Sequence, residues 1–270
     1  MKRRRFETPS RTSPRPGGRR GCLCADGRTY SRKCCNGSLR AQGIGRISAT
    51  STPTPPPPPA YTPLDDADLY GWWDAQAGVS TSGGELTAWA DRSASIPADP
   101  PTVVSQPLYG TDTVNGLDVL TFNSADPNYI DIDVSACGSG CDVHIMMRID
   151  SANGVVIADV DENIAIVFAQ DSNFSSKAVN NGLLGASVGF QDNGSVIGTD
   201  ITRGELYSII EDYAVLTMTN VDLSGVDTLR LMARGDLLLP SDALVGDIII
   251  SSGSTNRTDN IDFLIEKYGL

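Results

Sequence analysis

From residue 64 onward the apolar positions fall in short runs separated by Gly, Asn, Asp and Ser, which is the spacing of strands and turns. Runs rich in β-branched and aromatic residues predict strands at 68–73, 85–90, 117–122, 129–134, 143–149, 154–160, 164–169, 187–191, 214–219, 228–233 and 245–251. Tyr129, Ile130, Asp131, Ile132, Asp133 and Val134 alternate in character with period two. Many short strands at roughly even spacing predict an all-β fold, a two-sheet jelly-roll sandwich. One stretch departs from this pattern. Over 258–267, Ile261, Leu264 and Ile265 recur at i, i+3 and i+4, with Thr258 or Asp259 as N-cap and Gly269 as the stop. That predicts a short C-terminal helix laid against the sandwich, and 203–211 is a weaker helical turn. Adjacent Trp72 and Trp73 must point to opposite faces of their strand. One is therefore core, and the other is outward or under the terminal helix. Tyr70 is expected on the face of Trp72.

Before residue 64 no such periodicity exists. Residues 1–20 are mostly Arg, Pro, Gly, Ser and Thr with one aromatic, a basic extended arm that cannot bury a core. Residues 47–63 hold seven prolines, with Pro55 to Pro59 consecutive. In polyproline II these extend by ~3.1 Å each, which suits a stiff linker between modules. Between arm and linker, residues 21–46 form a small Cys-containing hairpin module. It concentrates Cys22, Cys24, Cys34 and Cys35 between the turn signals Asp26-Gly27 and Asn36-Gly37. Four thiols so placed can ligate one Zn²⁺, form two disulfides or stay free. C-x-C and C-C are tighter than the usual zinc knuckle, and cross-hairpin disulfides avoid a vicinal bridge. In the body, Cys137 and Cys141 are spaced for a C-x₃-C disulfide.

Charge follows the same boundary. Residues 1–46 carry 13 Lys+Arg against 2 Asp+Glu, net +11; the remaining 8 and 31 give residues 47–270 net −23, and the two sum to −12. The arm reads as an electrostatic tether to an acidic partner, and the acidic body repels phosphate. No apolar run approaches the ~20 residues of a membrane helix, so membrane insertion is not expected. MKRRRFETPS has no apolar stretch behind its basic residues, so no secretory signal is expected. The acids comprise 27 Asp and 6 Glu, as turns favour. Asp159, Asp161 and Glu162 cluster in one turn and are the candidate Ca²⁺ ligands, although the DxDxDG pattern is absent.

Catalysis has little to work with. A lone histidine, His144, lies in the apolar run VHIMM and reads as a packed strand residue. Glycoside hydrolysis needs two carboxylates ~5–10 Å apart, and Glu85, Glu162, Glu205, Glu211 and Glu266 do not give the strand spacing that supplies them. Asp131 and Asp133 share a strand face but are expected to be solvated. The sequence therefore predicts no enzyme. For sugar recognition, which stacks aromatics on pyranose faces, the candidates are Tyr70 and Trp72, with Asn173 and Phe174 on a loop.

LYGWWDAQAGVSTSGGELTAWADRS resembles the opening of a concanavalin A-like (LamG-like) jelly-roll domain, with Trp72, Trp73, Asp74 and Ala75, then Leu86, Trp89, Asp91 and Ser93 at the matching positions. Pro107, NGLDVLTFN from Asn115 to Asn123, GDIIIS from Gly246 to Ser251 and IEKYGL from Ile265 to Leu270 are similar to the later motifs of that family. The resemblance spans residues 64–270 and implies the same sandwich, in a family that holds both lectins and glycosidases. The CLC…CC segment behind the basic arm resembles the openings of tailed-phage virion proteins. This implies that residues 1–46 dock into virion proteins while the body projects from the particle surface. The expected function is a phage virion structural protein, meaning a head fibre, capsid decoration or tail adhesin. It would contact a host-surface glycan or protein and act as a homo-oligomer. A carbohydrate-active enzyme or a secreted lectin of the same fold is the alternative.

Overall fold

A computed structural model describes residues 22–24, 29–34, 61–94, 102–104, 106–125, 128–151, 153–160, 164–170, 178, 189–199, 201–233 and 240–270. Backbone contacts divide the chain into two units, Met1–Pro57 and Pro58–Leu270, and the boundary falls inside the consecutive prolines. In the first unit, β1 (Cys22–Leu23) and β2 (Tyr30–Ser31) pair antiparallel, with Cys22 opposite Ser31. A 3₁₀ turn, Arg32–Cys34, brings Cys34 back to Cys24, and the two form a cross-hairpin disulfide. Cys22 is buried and also disulfide-bonded. Cys35, the basic arm and residues 47–60 of the linker lie outside the described residues, whereas Tyr61 and Pro63, expected in the linker, pack as part of the body.

The second unit is an antiparallel β-sandwich. Its strands are β3 (Leu69–Trp73), β4 (Val79–Ser82), β5 (Glu85–Trp89), β6 (Thr102–Val104), β7 (Leu108–Val114), β8 (Leu117–Phe122), β9 (Tyr129–Asp133), β10 (Ser139–Ile149), β11 (Asn153–Asp159) and β12 (Ile164–Gln170). They continue with β13 (Gly189–Asp192) and β14 (Ser195–Gly198), then helix α1 (Arg203–Ile210), β15 (Ala214–Asp222), β16 (Thr228–Leu231), β17 (Ala243–Ser251) and helix α2 (Arg257–Tyr268). Among the described residues, the larger sheet runs β14-β13-β15-β10-β17-β8-β7-β5-β4, and the smaller runs β12-β11-β16-β9-β6. One edge of β17 pairs with β10; the other is shared by β8 at Ala243–Val245 and by β3 at Ile248–Ser251.

The period-two pattern gives the larger sheet two apolar faces. Inward, Trp73, Leu120, Ile145, Met147, Leu216 and Ile248 meet Ile130, Ile132, Leu229 and Leu231 of the smaller sheet. Outward, Trp72, Val119, Met146, Val215, Leu244 and Ile249 are covered by Ile261, Phe263, Leu264 and Tyr268 of α2. Trp73 is therefore sandwich core, and Trp72 lies beneath the helix, its ring edge-to-face with Phe263 at 5.5 Å. The expectation that Tyr70 shares the face of Trp72 fails because of a β-bulge. Gly71 opposes Ile250 but Leu69 opposes Ser251, so Tyr70 is the extra residue. It packs against the inward core, while Leu69 takes the face of Trp72.

Two glycines let α2 approach the sheet. A Cβ on Gly246 would stand 2.6 Å from the Tyr268 hydroxyl and 2.9 Å from the Met146 sulfur. Gly269 ends the helix in the left-handed conformation at φ 67°, its N–H donating to the Ile265 carbonyl. The start differs from the expected Thr258 or Asp259. Asn256 holds the N-cap position without a side-chain cap. Its amide instead donates to Asp66 Oδ1 at 2.8 Å, a tertiary bond that replaces the local one. Helix α1 has the local solution, a capping box in which Thr202 and Glu205 bond reciprocally.

Candidate functional site

The residues singled out for sugar stacking do not converge. Trp72 is 4% exposed, covered by α2, and its indole N–H donates to Asp247 Oδ2 at 3.1 Å. It offers no ring face to a ligand, so its assignment as a sugar platform is corrected. Tyr70 is half-buried, and its hydroxyl donates to the Asp133 carbonyl at 3.3 Å. Asn173 and Phe174 lie outside the described residues. For calcium, Asp159 is fully buried on β11, and Asp161 and Glu162 lie outside the described residues. Of the alternatives at the arm cysteines, the disulfide is the one present at Cys24–Cys34, and a disulfide sulfur has no thiolate charge to offer zinc. Cys137 and Cys141 are also bridged. Among the described residues no three His, Cys, Asp or Glu side chains group to hold a metal ion, and no helix is long and apolar enough to cross a membrane.

His144 is a packed strand residue. Its Nδ1 lies 2.9 Å from Thr217 Oγ1, Nε2 has no hydrogen-bond partner, and burial pushes its pKa down to about 4. Asp131 is not solvated as expected. It makes two hydrogen bonds to Arg230, at 2.7 and 2.8 Å, and that guanidinium lies 3.7 Å over the Tyr129 ring.

The residues that carried the family resemblance meet in one buried network. Lys267 Nζ donates to Asp247 Oδ2 at 2.6 Å and to Asp74 Oδ1 at 2.7 Å. Asp247 also accepts from the Tyr268 hydroxyl at 2.7 Å and the Ala75 amide at 2.9 Å. Asp74 accepts from Arg92 on its other oxygen, and the Asp74 carbonyl accepts from the Trp89 indole. Burial pushes the Asp247 carboxyl up, and the adjacent Lys267 ammonium opposes that shift. Every acceptor here is taken by the fold itself, which makes the network a lock between residues 72–92 and residues 247–268.

A different arrangement is partly open to solvent. Two residues beyond Met146 on β10 stands Arg148, opposite Leu244 of β17, which is in turn opposite Thr121 of β8. Tyr213, just before β15, closes the row on the other side, its ring centroid 4.7 Å from the Arg148 guanidinium carbon. Arg148 is held in place by Asp150, Nε to Oδ1 at 2.8 Å and Nη2 to Oδ2 at 2.9 Å. At the far end, Thr121 Oγ1 donates to Asp112 Oδ2 at 3.0 Å and lies 2.9 Å from Thr111 Oγ1. Burial pushes the Tyr213 phenol up, opposed by Arg148 and reinforced by Asp112 and Asp150. Buried Leu244 is the floor, and Tyr213 packs against the same outer cluster.

Sequence reasoning missed this row because its members come from four separate segments. One signal existed: Arg148 interrupts VHIMMRI, an otherwise apolar run.

Among solved structures, the binding domain of botulinum neurotoxin serotype D/C is similar to this chain at 15% identity and a TM-score of 0.35, covering 77% of this chain and 54% of that one. This chain thus spans about half the length of that neighbour. No family model and no curated protein matches the chain.

Proposed function

We propose that the protein is a non-enzymatic phage virion component, a head fibre, capsid decoration or tail adhesin. Its cysteine-bearing arm docks into other virion proteins, and its concanavalin-like (LamG-like) body makes host-surface contact with a glycan or protein. The observation that carries this reading is the division of charge. A +11 segment and a −23 segment, summing to −12, meet at a run of prolines. A cationic arm gains order by inserting into an acidic protein surface, and a stiff spacer then clears that surface. An acidic body stays off the nucleic acid inside a particle. The resemblance of the arm to tailed-phage virion openings supports the location. The commitment of Asp74, Asp131, Asp142 and Asp247 to pairing within the fold supports binding over catalysis.

Removal of residues 1–46 tests the anchor. The truncated protein is expected to fold, by circular dichroism, and to be missing from purified particles; incorporation at the full-length level would sink the anchoring role. Sugar release from a bound glycan would favour the carbohydrate-active enzyme instead. Light scattering of the full chain tests the homo-oligomer that a repeated surface component implies.

A further inference from the structure

Resting on that reading of the body as a contact domain, we propose that the row Tyr213–Arg148–Leu244–Thr121 is a binding site for a neutral glycan, which it grips through paired hydroxyls of a hexose. Among the ion pairs between described residues, Arg148–Asp150 is the one in which neither side chain is buried, at 30% and 46% exposure. The other pairs each have a buried partner: Asp74, Arg230, Asp142 or Asp247. An exposed pair adds little to stability. This one is nonetheless held by two hydrogen bonds and stacked on an aromatic ring, so its donor and acceptor groups are presented in a fixed geometry.

That geometry suits a sugar. Neighbouring hydroxyls of a pyranose need a donor and an acceptor side by side. Arg148 supplies N–H groups and Asp150 supplies carboxylate lone pairs in one plane. The guanidinium lies over the Tyr213 ring, which holds it flat and leaves its outer face as a rigid surface for the C–H face of the sugar, so little side-chain entropy is lost on binding. Strands ~4.8 Å apart place Thr121 about 10 Å from Arg148, two strands over, a span that a disaccharide covers. There Thr121, Thr111 and Asp112 offer a second set of hydroxyl and carboxylate partners.

Charge selects the class of sugar. Asp112 and Asp150 flank the row, and exposed Glu211 and Asp212 immediately precede Tyr213. With the body at net −23, sialylated, sulfated and phosphorylated glycans are repelled, and neutral hexoses are not.

The test measures binding of the full chain to immobilised neutral hexose oligosaccharides and to their sialylated and sulfated counterparts. The wild type is compared with Tyr213→Ala, Arg148→Met and the control Val196→Ser, a substitution of an exposed residue on β14. Thermal unfolding establishes that each variant folds. Expected are binding of neutral glycans only, a loss of about tenfold or more in Tyr213→Ala and Arg148→Met, and no change in Val196→Ser. Neutral-glycan binding that survives both row substitutions overturns this site and leaves the contact function standing elsewhere on the body. Preference for anionic glycans overturns the ligand class. A wild type that binds no glycan at all overturns this inference and the glycan reading of the body together.

Discussion

His144 has no anion of its own in the folded chain. Asp142, next on the same face, is bound twice by Arg257 and once by the Asn220 amide, and Asp66 is engaged by Asn256 and Asn260. Burial, with no free anion to offset it, keeps the imidazole neutral and lowers its pKa to about 4 from an ordinary 6.5. The unfolded chain binds this proton first as pH falls. No penalty exists above pH 6.5; it grows below that and is complete near pH 4, at about 3 kcal/mol. Denaturant unfolding of the wild type and His144→Gln at pH 7.5 and pH 4.5 should show the variant losing about 2 kcal/mol less on acidification. Equal losses would place the acid sensitivity elsewhere. Lys267 is the other residue with a large individual effect. Lys267→Met leaves Asp247 and Asp74 buried without their shared cation, which costs about 3–5 kcal/mol. The melting temperature should fall by about 10 °C, and Lys267→Met combined with Asp247→Asn should recover part of the loss.

At the level of elements, the outer face of the larger sheet depends on α2. Gly246→Ala drives a methyl group against Tyr268 and Met146, which should destabilise the body by about 1–3 kcal/mol and raise dye binding as the helix lifts. An unchanged unfolding midpoint would mean that the helix has slack. Most of this layer was legible in the chain. The i, i+3, i+4 spacing of Ile261, Leu264 and Ile265 marked α2, and strand alternation separated Trp72 from Trp73. What escaped were β4, β6, β7 and β14. Three of these carry mainly polar or exposed residues (VSTS, LYGTDTV, SVIG), so no apolar alternation announced them. Of the candidate sites, Trp72 misled because the type of residue was right for a sugar platform while its face was already taken by the helix. The Arg148 row was invisible because strand register, which joins residues 121, 148 and 244, is a property of pairing and not of any one segment.

For the whole molecule, most of the body's few cations are taken up within the fold. Of the eight Lys and Arg in residues 47–270, Arg92, Arg148, Arg230, Arg257 and Lys267 each pair with an aspartate within the fold. The surface is consequently acidic with few counterions of its own, and self-repulsion opposes the compact state. Screening should relieve it: the melting temperature of residues 58–270 is expected to rise between ~20 mM and ~300 mM salt. A flat response would mean that the acids are already neutralised by bound cations. The lock beneath α2 also sets a schedule for making the protein. Asp74 waits for Lys267, 193 positions later, and Tyr61 waits for Asn260, 199 positions later. During synthesis the outer face of β10 and β17 therefore stays bare until α2 has left the ribosome. Translation must deliver α2 before β3 has its final neighbours, which makes the nascent chain, more than the finished domain, the form most in need of a chaperone.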